Sequence, residues 1–238
     1  MLIILGVFLL AGIVKGVIGL GLPTLAMGLL STTMEPAIAA SLLIIPSLVT
    51  NLLQLFIGPK FIALIKRLWG FIVGIFIGTL WSFLPSLSAS STWTIPTLGA
   101  ILIAYGCLGI TKKKLPYPSH LEKWLSPFIG YFTGAITAAT GVFVIPAVPY
   151  LQSLKLNKDE LIQALGLAFT ASTIALALQL SQDNSFDGID YYLSIIALIP
   201  ALIGMYIGQY CRKIMSEIIF KRCFFIGLIA FGGYMLFK

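Results

Sequence analysis

The chain has 238 residues, of which 59% are hydrophobic and only 10% are charged. A soluble domain cannot bury so much apolar surface, so the composition predicts an integral membrane protein whose solvent is the lipid bilayer. The formal net charge is +7, and the basic residues cluster in short connections between apolar stretches. This placement favours loops that set the membrane topology over a nucleic-acid surface, and we expect no nucleic-acid partner.

In chain order the apolar stretches divide into eight segments, if one membrane span needs about 20 residues. The first covers 2–30 and the fifth covers 125–151, and a basic connection separates four segments from four. We therefore predict a first membrane repeat over 1–111, a cytoplasmic linker over 112–123 and a second membrane repeat over 124–238. The other segments are 37–57, 61–84, 94–111, 161–180, 190–210 and 217–237.

The first and fifth segments are each interrupted by glycine and proline. Residues 11–24 read AGIVKGVIGLGLPT, and residues 133–146 read TGAITAATGVFVIP. Further matches keep the same order along both halves, which indicates an internal duplication. The matched pairs are Glu35 with Glu160, Ser47 with Ser172, Gln54 with Gln179, and the glycine pair Gly74 and Gly78 with Gly204 and Gly208. Glycines spaced in this way let two helices approach closely.

Loop charges predict the topology, because basic loops stay cytoplasmic. Lys60 follows the second segment, the linker is basic, and Lys155 and Lys158 follow the fifth segment. The fifth segment then begins and ends on one side, as a hairpin broken between Gly141 and Pro146. By the internal match, the first segment is a hairpin that enters from outside. The predicted fold is an all-α integral membrane protein of two inverted-topology repeats, each with a broken helix or hairpin plus three transmembrane helices.

Broken apolar segments at corresponding positions of two halves indicate the binding site of a transporter. The exposed N-termini of half-helices offer N–H donors and partial positive charge, which suit an anion. Gly19 and Gly21 allow a ligand to approach the backbone, while Pro23 and Pro146 keep the helix from re-forming. The alternative is that both breaks only shape helix packing.

Lys15 lies four residues before Gly19, inside the first apolar segment. An ammonium at the bilayer centre costs roughly 2.5–3.5 kcal/mol on insertion scales, so such a residue usually faces a cavity. The alternatives are that Lys15 extends to the membrane surface or forms a structural pair. Polar residues that could assist, or could equally join helices, are Thr24, Ser41, Ser47, Thr50, Asn51, Gln54, Thr137, Thr140, Thr170, Ser172, Thr173 and Gln179.

The sequence offers little support for an enzyme. The one histidine, His120, lies in the linker among basic residues and prolines, and no catalytic serine motif or metal-ligand cluster is visible. Cys107, Cys211 and Cys223 form no close pair. We therefore expect no cofactor and no metal.

With its two breaks, the chain resembles the sulfite exporter TauE/SafE family over essentially its whole length. The resemblance rests on two copies of a glycine-rich break, each followed by proline and then by a helix that opens with an acidic residue. It implies a secondary exporter of small anions, such as sulfite or an organosulfonate, in the bacterial inner membrane. It also implies that Gly19, Gly21 and Pro23 belong to a first pore motif and Gly141 to Pro146 to a second.

The sequence therefore predicts that a small anion binds between the tips of the two hairpins, and that one repeat rocks against the other. The expected partners are that anion and the lipid bilayer, and a homo-oligomer is left open. The alternative is a structural or accessory membrane protein with no transport of its own. The residues predicted to bind the anion are Lys15, Gly19, Gly21, Pro23, Asn51, Thr140, Gly141 and Pro146.

Overall fold

The computed structural model describes residues 1–88, 94–111, 120–183, 191–214 and 217–237, and all regular structure in these ranges is α-helical. The predicted all-α class is confirmed. Each of the two glycine-interrupted segments gives two helices, and each of the other six gives one. The ten helices are α1 (Leu2–Ile18), α2 (Leu22–Leu30), α3 (Pro36–Phe56), α4 (Phe61–Leu80), α5 (Thr94–Ile110), α6 (Glu122–Thr140), α7 (Ala147–Ser153), α8 (Lys158–Gln182), α9 (Tyr191–Ile214) and α10 (Glu217–Leu236).

The long helices have the length and composition of membrane spans. Among the described residues, α3, α4, α8 and most of α9 and α10 are apolar enough to cross a bilayer. α1 and α5 are also apolar and have 17 residues each, or about 25 Å at 1.5 Å per residue. α2 and α7, with 9 and 7 residues, are too short to cross a core of about 30 Å. The chain is a multi-pass membrane protein.

The helices form two compact units. Unit 1 comprises Met1–Pro46, Ser90–Lys112 and Ser185–Lys238, and unit 2 comprises Ser47–Ala89 and Lys113–Asn184. Each unit draws on both halves of the sequence. α3 contributes its first part to unit 1 and the remainder to unit 2. The predicted repeats over 1–111 and 124–238 are a division of the sequence and stay a prediction. The linker lysines at 112–114 lie outside the described residues.

In unit 1, α1 and α9 run parallel at very close approach. A methyl group added at Gly12 would collide with the carbonyl oxygen of Ala201, and one at Gly208 would collide with that of Ile13. Residue numbers rise together along both helices, which defines the parallel direction. Glycines on both helices thus interlock, as the spacing predicted for α9. These glycines are Gly12 and Gly16 of α1 and Gly204 and Gly208 of α9.

In unit 2, α4 and α6 pack in the same manner. A methyl group at Gly78 would collide with the carbonyl oxygen of Tyr131, and one at Gly134 would collide with that of Ile75. These two helices are also parallel, and α8 packs against α4. The close approach predicted from the glycine spacing in α4 is confirmed. The interlocked glycines are Gly74 and Gly78 of α4 and Gly130 and Gly134 of α6.

Candidate functional site

The break in unit 1 is made by two glycines in the left-handed region. α1 ends at Ile18, and Gly19 follows with φ 80°, donating its N–H to the carbonyl oxygen of Lys15 at 2.7 Å. Gly21 has φ 103° and precedes α2. An L side chain is strained in this region, and a methyl group at Gly21 would also lie 3.1 Å from Phe224 Cζ. The break predicted here is present, while the binding role of its residues stays a prediction.

The first turn of α2 lacks a side-chain cap. Pro23 lies in this turn, where its missing N–H loses no helical hydrogen bond. Thr24 follows, and its side chain is fully buried, with no hydrogen-bond partner for Oγ1 within the described residues. An unsatisfied buried polar group costs about 1–3 kcal/mol. A helix N-terminus beside such a hydroxyl suits a negatively charged ligand.

Lys15 lies in the last turn of α1, one turn before Gly19. Only 3% of its surface is exposed, so its side chain does not spread along the lipid-facing surface. The C-terminal end of a helix carries partial negative charge and stabilises a cation in the last turn. Unit 1 therefore holds a buried lysine side chain before the break and the N-terminus of α2, with the Thr24 hydroxyl, just after it.

The break in unit 2 begins like the break in unit 1. α6 ends at Thr140, and Gly141 follows with φ 68°, donating its N–H to the carbonyl oxygen of Thr137 at 2.8 Å. The chain then leaves the helix until Pro146, which precedes α7. The Thr140 hydroxyl donates to the Ile136 carbonyl at 2.7 Å and accepts from Val142 N at 3.3 Å. Unlike Thr24, Thr140 is thus satisfied by its own segment.

Arg67 shows that the broken segment of unit 2 returns to the end where it began. Its guanidinium binds Glu122, in the first turn of α6, through Nε at 2.6 Å and a terminal nitrogen at 2.9 Å. The same terminal nitrogen donates to the carbonyl oxygen of Leu154, just after α7, at 3.0 Å. One side chain therefore contacts both ends of the segment, as a hairpin requires. Lysines cluster at this end of the unit: Lys60, Lys66, Lys123, Lys155 and Lys158.

Asn51 joins α3 to α8 within unit 2. Its side-chain nitrogen lies 3.3 Å from Thr173 Oγ1, and both residues are buried. One turn earlier on α8, the ring of Phe169 packs against that of Phe143 in the break, with centroids 5.2 Å apart. Asn51 therefore contacts α8 about one turn away from the point where α8 packs against the unit 2 break.

At the end of unit 2 opposite to the lysine cluster, the loop that follows α4 contacts α6 and α8. Gln179 donates its side-chain N–H to Ser86 Oγ at 3.0 Å and to the carbonyl oxygen of Ala138 at 3.4 Å. The backbone N–H of Leu87 also donates to Ala138, at 2.8 Å, and Ser86 bonds the carboxylate of Asp183. Gln179, which the predicted duplication matches with Gln54, holds this loop in place.

The sequence model of the family described as Sulfite exporter TauE/SafE matches residues 4–235. The chain belongs to the TauE/SafE family. No curated protein and no solved structure matches the chain. The resemblance based on the doubled break is confirmed, and the protein is a member of a transporter family.

In this TauE/SafE protein the eight predicted site residues fall into two groups. Unit 1 brings together Lys15, Gly19, Gly21 and Pro23, all at one break. Unit 2 holds the other four: Asn51, Thr140, Gly141 and Pro146. The residues of each group lie at a helix break, except Asn51. Asn51 lies on α3 and contacts α8, the helix that packs against the unit 2 break.

Sequence reasoning missed Gln163, whose side chain makes three hydrogen bonds in unit 2. Its side-chain nitrogen donates to the carbonyl oxygens of Leu55 at 2.9 Å and Gly58 at 2.6 Å, and its oxygen accepts from the N–H of Lys60 at 3.0 Å. Gln163 thus fixes the connection between α3 and α4. A glutamine in an apolar helix is the only sequence signal for this role.

Proposed function

We propose that this protein is a secondary exporter of a small oxyanion, sulfite or an organosulfonate, and that it works by alternating access between two inverted repeats. The anion binds at the break of unit 1, which supplies the charge. Lys15 provides the ammonium group, the first turn of α2 provides N–H donors, and Thr24 provides a hydroxyl. Family membership supports the class of substrate.

The observation that carries the proposal is the chemistry of the unit 1 break. An ammonium buried in an apolar helix is costly and usually marks a substrate path. Here it lies one turn before an uncapped helix N-terminus with a buried, unsatisfied hydroxyl at Thr24. All of these groups favour a negatively charged ligand, because each is a cation or a hydrogen-bond donor.

Two features support the duplication that the repeats require. The matched glycines Gly19 and Gly141 have nearly the same backbone angles and end their helices with the same hydrogen bond. In each unit, the first helix of one sequence half packs in parallel on the fourth helix of the other half, through glycines on both helices. In the predicted duplication α1 corresponds to α6 and α9 corresponds to α4. The pair α1 and α9 in unit 1 is therefore equivalent to the pair α6 and α4 in unit 2.

The direction of the helices supports inversion. In unit 2, the broken segment begins and returns at the lysine-rich end, at Glu122 and Leu154. In unit 1, α1 runs parallel to α9, whose last turn carries Arg212 and Lys213. α1 therefore begins at the end opposite to the basic one. If basic ends face the cytoplasm, the two broken segments enter from opposite sides of the membrane.

The alternative, a structural protein whose breaks only shape packing, fits the unit 2 break considered alone. There the Thr140 hydroxyl is satisfied within its own segment, and Asn51 bonds Thr173. The unsatisfied hydroxyl at Thr24 favours transport instead, because helix packing alone gives no reason to bury it without a partner.

The test is efflux of sulfite from proteoliposomes that contain the purified protein. We expect saturable efflux, absent from protein-free liposomes and inhibited by an organosulfonate added to the same compartment. Inhibition by the organosulfonate at concentrations near those of sulfite would indicate a shared site. Efflux equal to that of protein-free liposomes for both anions would contradict the proposal and favour a structural or accessory role.

A further inference from the structure

We propose that the hydroxyl of Tyr105 is a further ligand of the anion, and that it acts at the first turn of α2 together with Thr24. The inference rests on the proposed function, because it adds a residue to the anion site of unit 1. Neither the glycine-rich breaks nor the matches between the two halves include Tyr105. Its assignment comes from its burial and from the register of three helices in unit 1.

Tyr105 has a buried hydroxyl that lacks a hydrogen-bond partner among the described residues. It lies in α5 with 2% of its surface exposed, and its hydroxyl oxygen has no hydrogen-bond partner among the residues that the structure describes. Its ring packs edge-on against that of Phe225, with centroids 5.3 Å apart. A buried tyrosine hydroxyl usually finds a partner, so a phenylalanine would serve here if packing were the only function.

The register of α2 against α10 shows which turn of α10 lies beside the break. A methyl group at Gly21 would lie 3.1 Å from Phe224 Cζ, and one at Gly28 would lie 3.0 Å from Phe231 Cε1. Both contacts advance by seven residues, so α2 and α10 run in the same direction and in step. The first turn of α2, with Thr24, therefore lies level with the turn of α10 that follows Phe225.

The register of α5 against α10 brings Tyr105 to that same level. A methyl group at Gly106 would lie 2.8 Å from the carbonyl oxygen of Phe225 and 2.5 Å from Ile229 Cγ1. Gly106 is therefore level with the turn between these two residues, and Tyr105 immediately precedes it. Along α2, the position level with this turn is its first turn. Tyr105 and Thr24, which each carry a buried hydroxyl without a partner among the described residues, thus occur at one level of unit 1.

The two hydroxyls have the chemistry that an oxyanion needs. Each is a neutral O–H donor, and a hydrogen bond to a charged acceptor is roughly twice as strong as one between neutral groups. Sulfite and sulfonates present several oxygen acceptors around one sulfur, so they can accept from both hydroxyls and from backbone N–H groups together. Tyr105 then determines affinity, while Lys15 supplies the compensating charge.

The test compares Tyr105→Phe with wild type, using sulfite as the probe in efflux assays and in thermal unfolding of the purified protein. Tyr206→Phe is the control, since Tyr206 is exposed on α9 of the same unit. We expect Tyr105→Phe to raise the KM for sulfite at least about tenfold, as for the loss of a hydrogen bond to a charged group. Without sulfite its melting temperature should be unchanged or higher, because an unsatisfied hydroxyl has been removed. Stabilisation by added sulfite should weaken to the same extent as the KM rises.

An unchanged KM together with unchanged stabilisation by sulfite would overturn the role of Tyr105 and leave the proposed function standing. Failure of Tyr105→Phe to fold would also overturn it, because the hydroxyl would then have a partner within the protein. If the wild type itself shows neither efflux nor stabilisation by sulfite, the proposed function fails, and the assignment of Tyr105 fails with it.

Discussion

Arg67 and Glu122 form a bidentate ion pair, with contacts of 2.6 and 2.9 Å, that connects the start of α6 to α4. Since Arg67 also binds the carbonyl oxygen of Leu154, this pair holds both ends of the broken segment in unit 2. We expect Arg67→Ala to lower the free energy of unfolding by about 1 kcal/mol, because the pair is partly exposed. Arg67→Lys should restore little of this, since an ammonium cannot reproduce the planar fork.

Thermal unfolding in detergent at low and high salt checks this prediction, with Lys66→Ala as the control at the neighbouring exposed position. The loss caused by Arg67→Ala should shrink at high salt, because salt screens partly exposed charges. Equal stability of Arg67→Ala and Lys66→Ala would contradict a stabilising role for the contacts of Arg67 with Glu122 and Leu154.

Gly19 and Gly141 require the left-handed backbone that an alanine resists. Gly19→Ala and Gly141→Ala should each cost about 1–2 kcal/mol of stability. Gly6→Ala in α1 is the matched control, since no described atom lies within 4 Å of a methyl group there, and it should be neutral or stabilising by up to about 1 kcal/mol. The measurement is the melting temperature of the three variants. A similar shift for all three would contradict the requirement for glycine at the two breaks.

Close packing of α9 on α1 should make Gly208 intolerant of any side chain. A methyl group there collides with the carbonyl oxygen of Ile13, and overpacking of this kind costs about 1–3 kcal/mol. Gly227→Ala in α10 is the control, because a methyl group at Gly227 has open space among the described residues. The yield of folded protein in size-exclusion chromatography should fall for Gly208→Ala only. A normal yield for Gly208→Ala would mean that the two helices can separate at little cost.

Gln163→Leu should destabilise unit 2, because three backbone groups of the α3–α4 connection lose their partner. Each buried group left unsatisfied costs about 1–3 kcal/mol. Gln182→Leu at the exposed end of the same helix is the control. Hydrogen exchange of the Lys60 amide should accelerate in Gln163→Leu and stay unchanged in Gln182→Leu. Unchanged exchange in both variants would show that the connection does not depend on Gln163.

Much of the fold could be predicted from the sequence, because its signals are local. Apolar length marks the helices, and glycine with proline marks both breaks: α1 ends at Ile18 and α6 ends at Thr140, beside the predicted glycines. The glycine spacing in α4 and α9 also predicted close helix contacts. These features depend on neighbouring residues alone.

The contacts between distant parts of the chain could not be predicted in this way. The partner of α1 is α9, and that of α4 is α6, which no local pattern specifies. The contacts of Arg67 and Gln163 could not be predicted, because their partners lie far away in the sequence. The binding roles of Lys15 and the residues around it remain predictions, supported by the buried hydroxyl at Thr24.

In the proposed mechanism, an anion is carried past the ammonium of Lys15. The most direct measurement is sulfite efflux from proteoliposomes containing wild type, Lys15→Ala or Lys66→Ala, at equal amounts of folded protein. We expect Lys15→Ala to lose efflux, or to raise the KM at least about tenfold, which corresponds to about 1.4 kcal/mol of binding, while Lys66→Ala behaves like wild type. Unchanged efflux and unchanged affinity in Lys15→Ala would contradict the account.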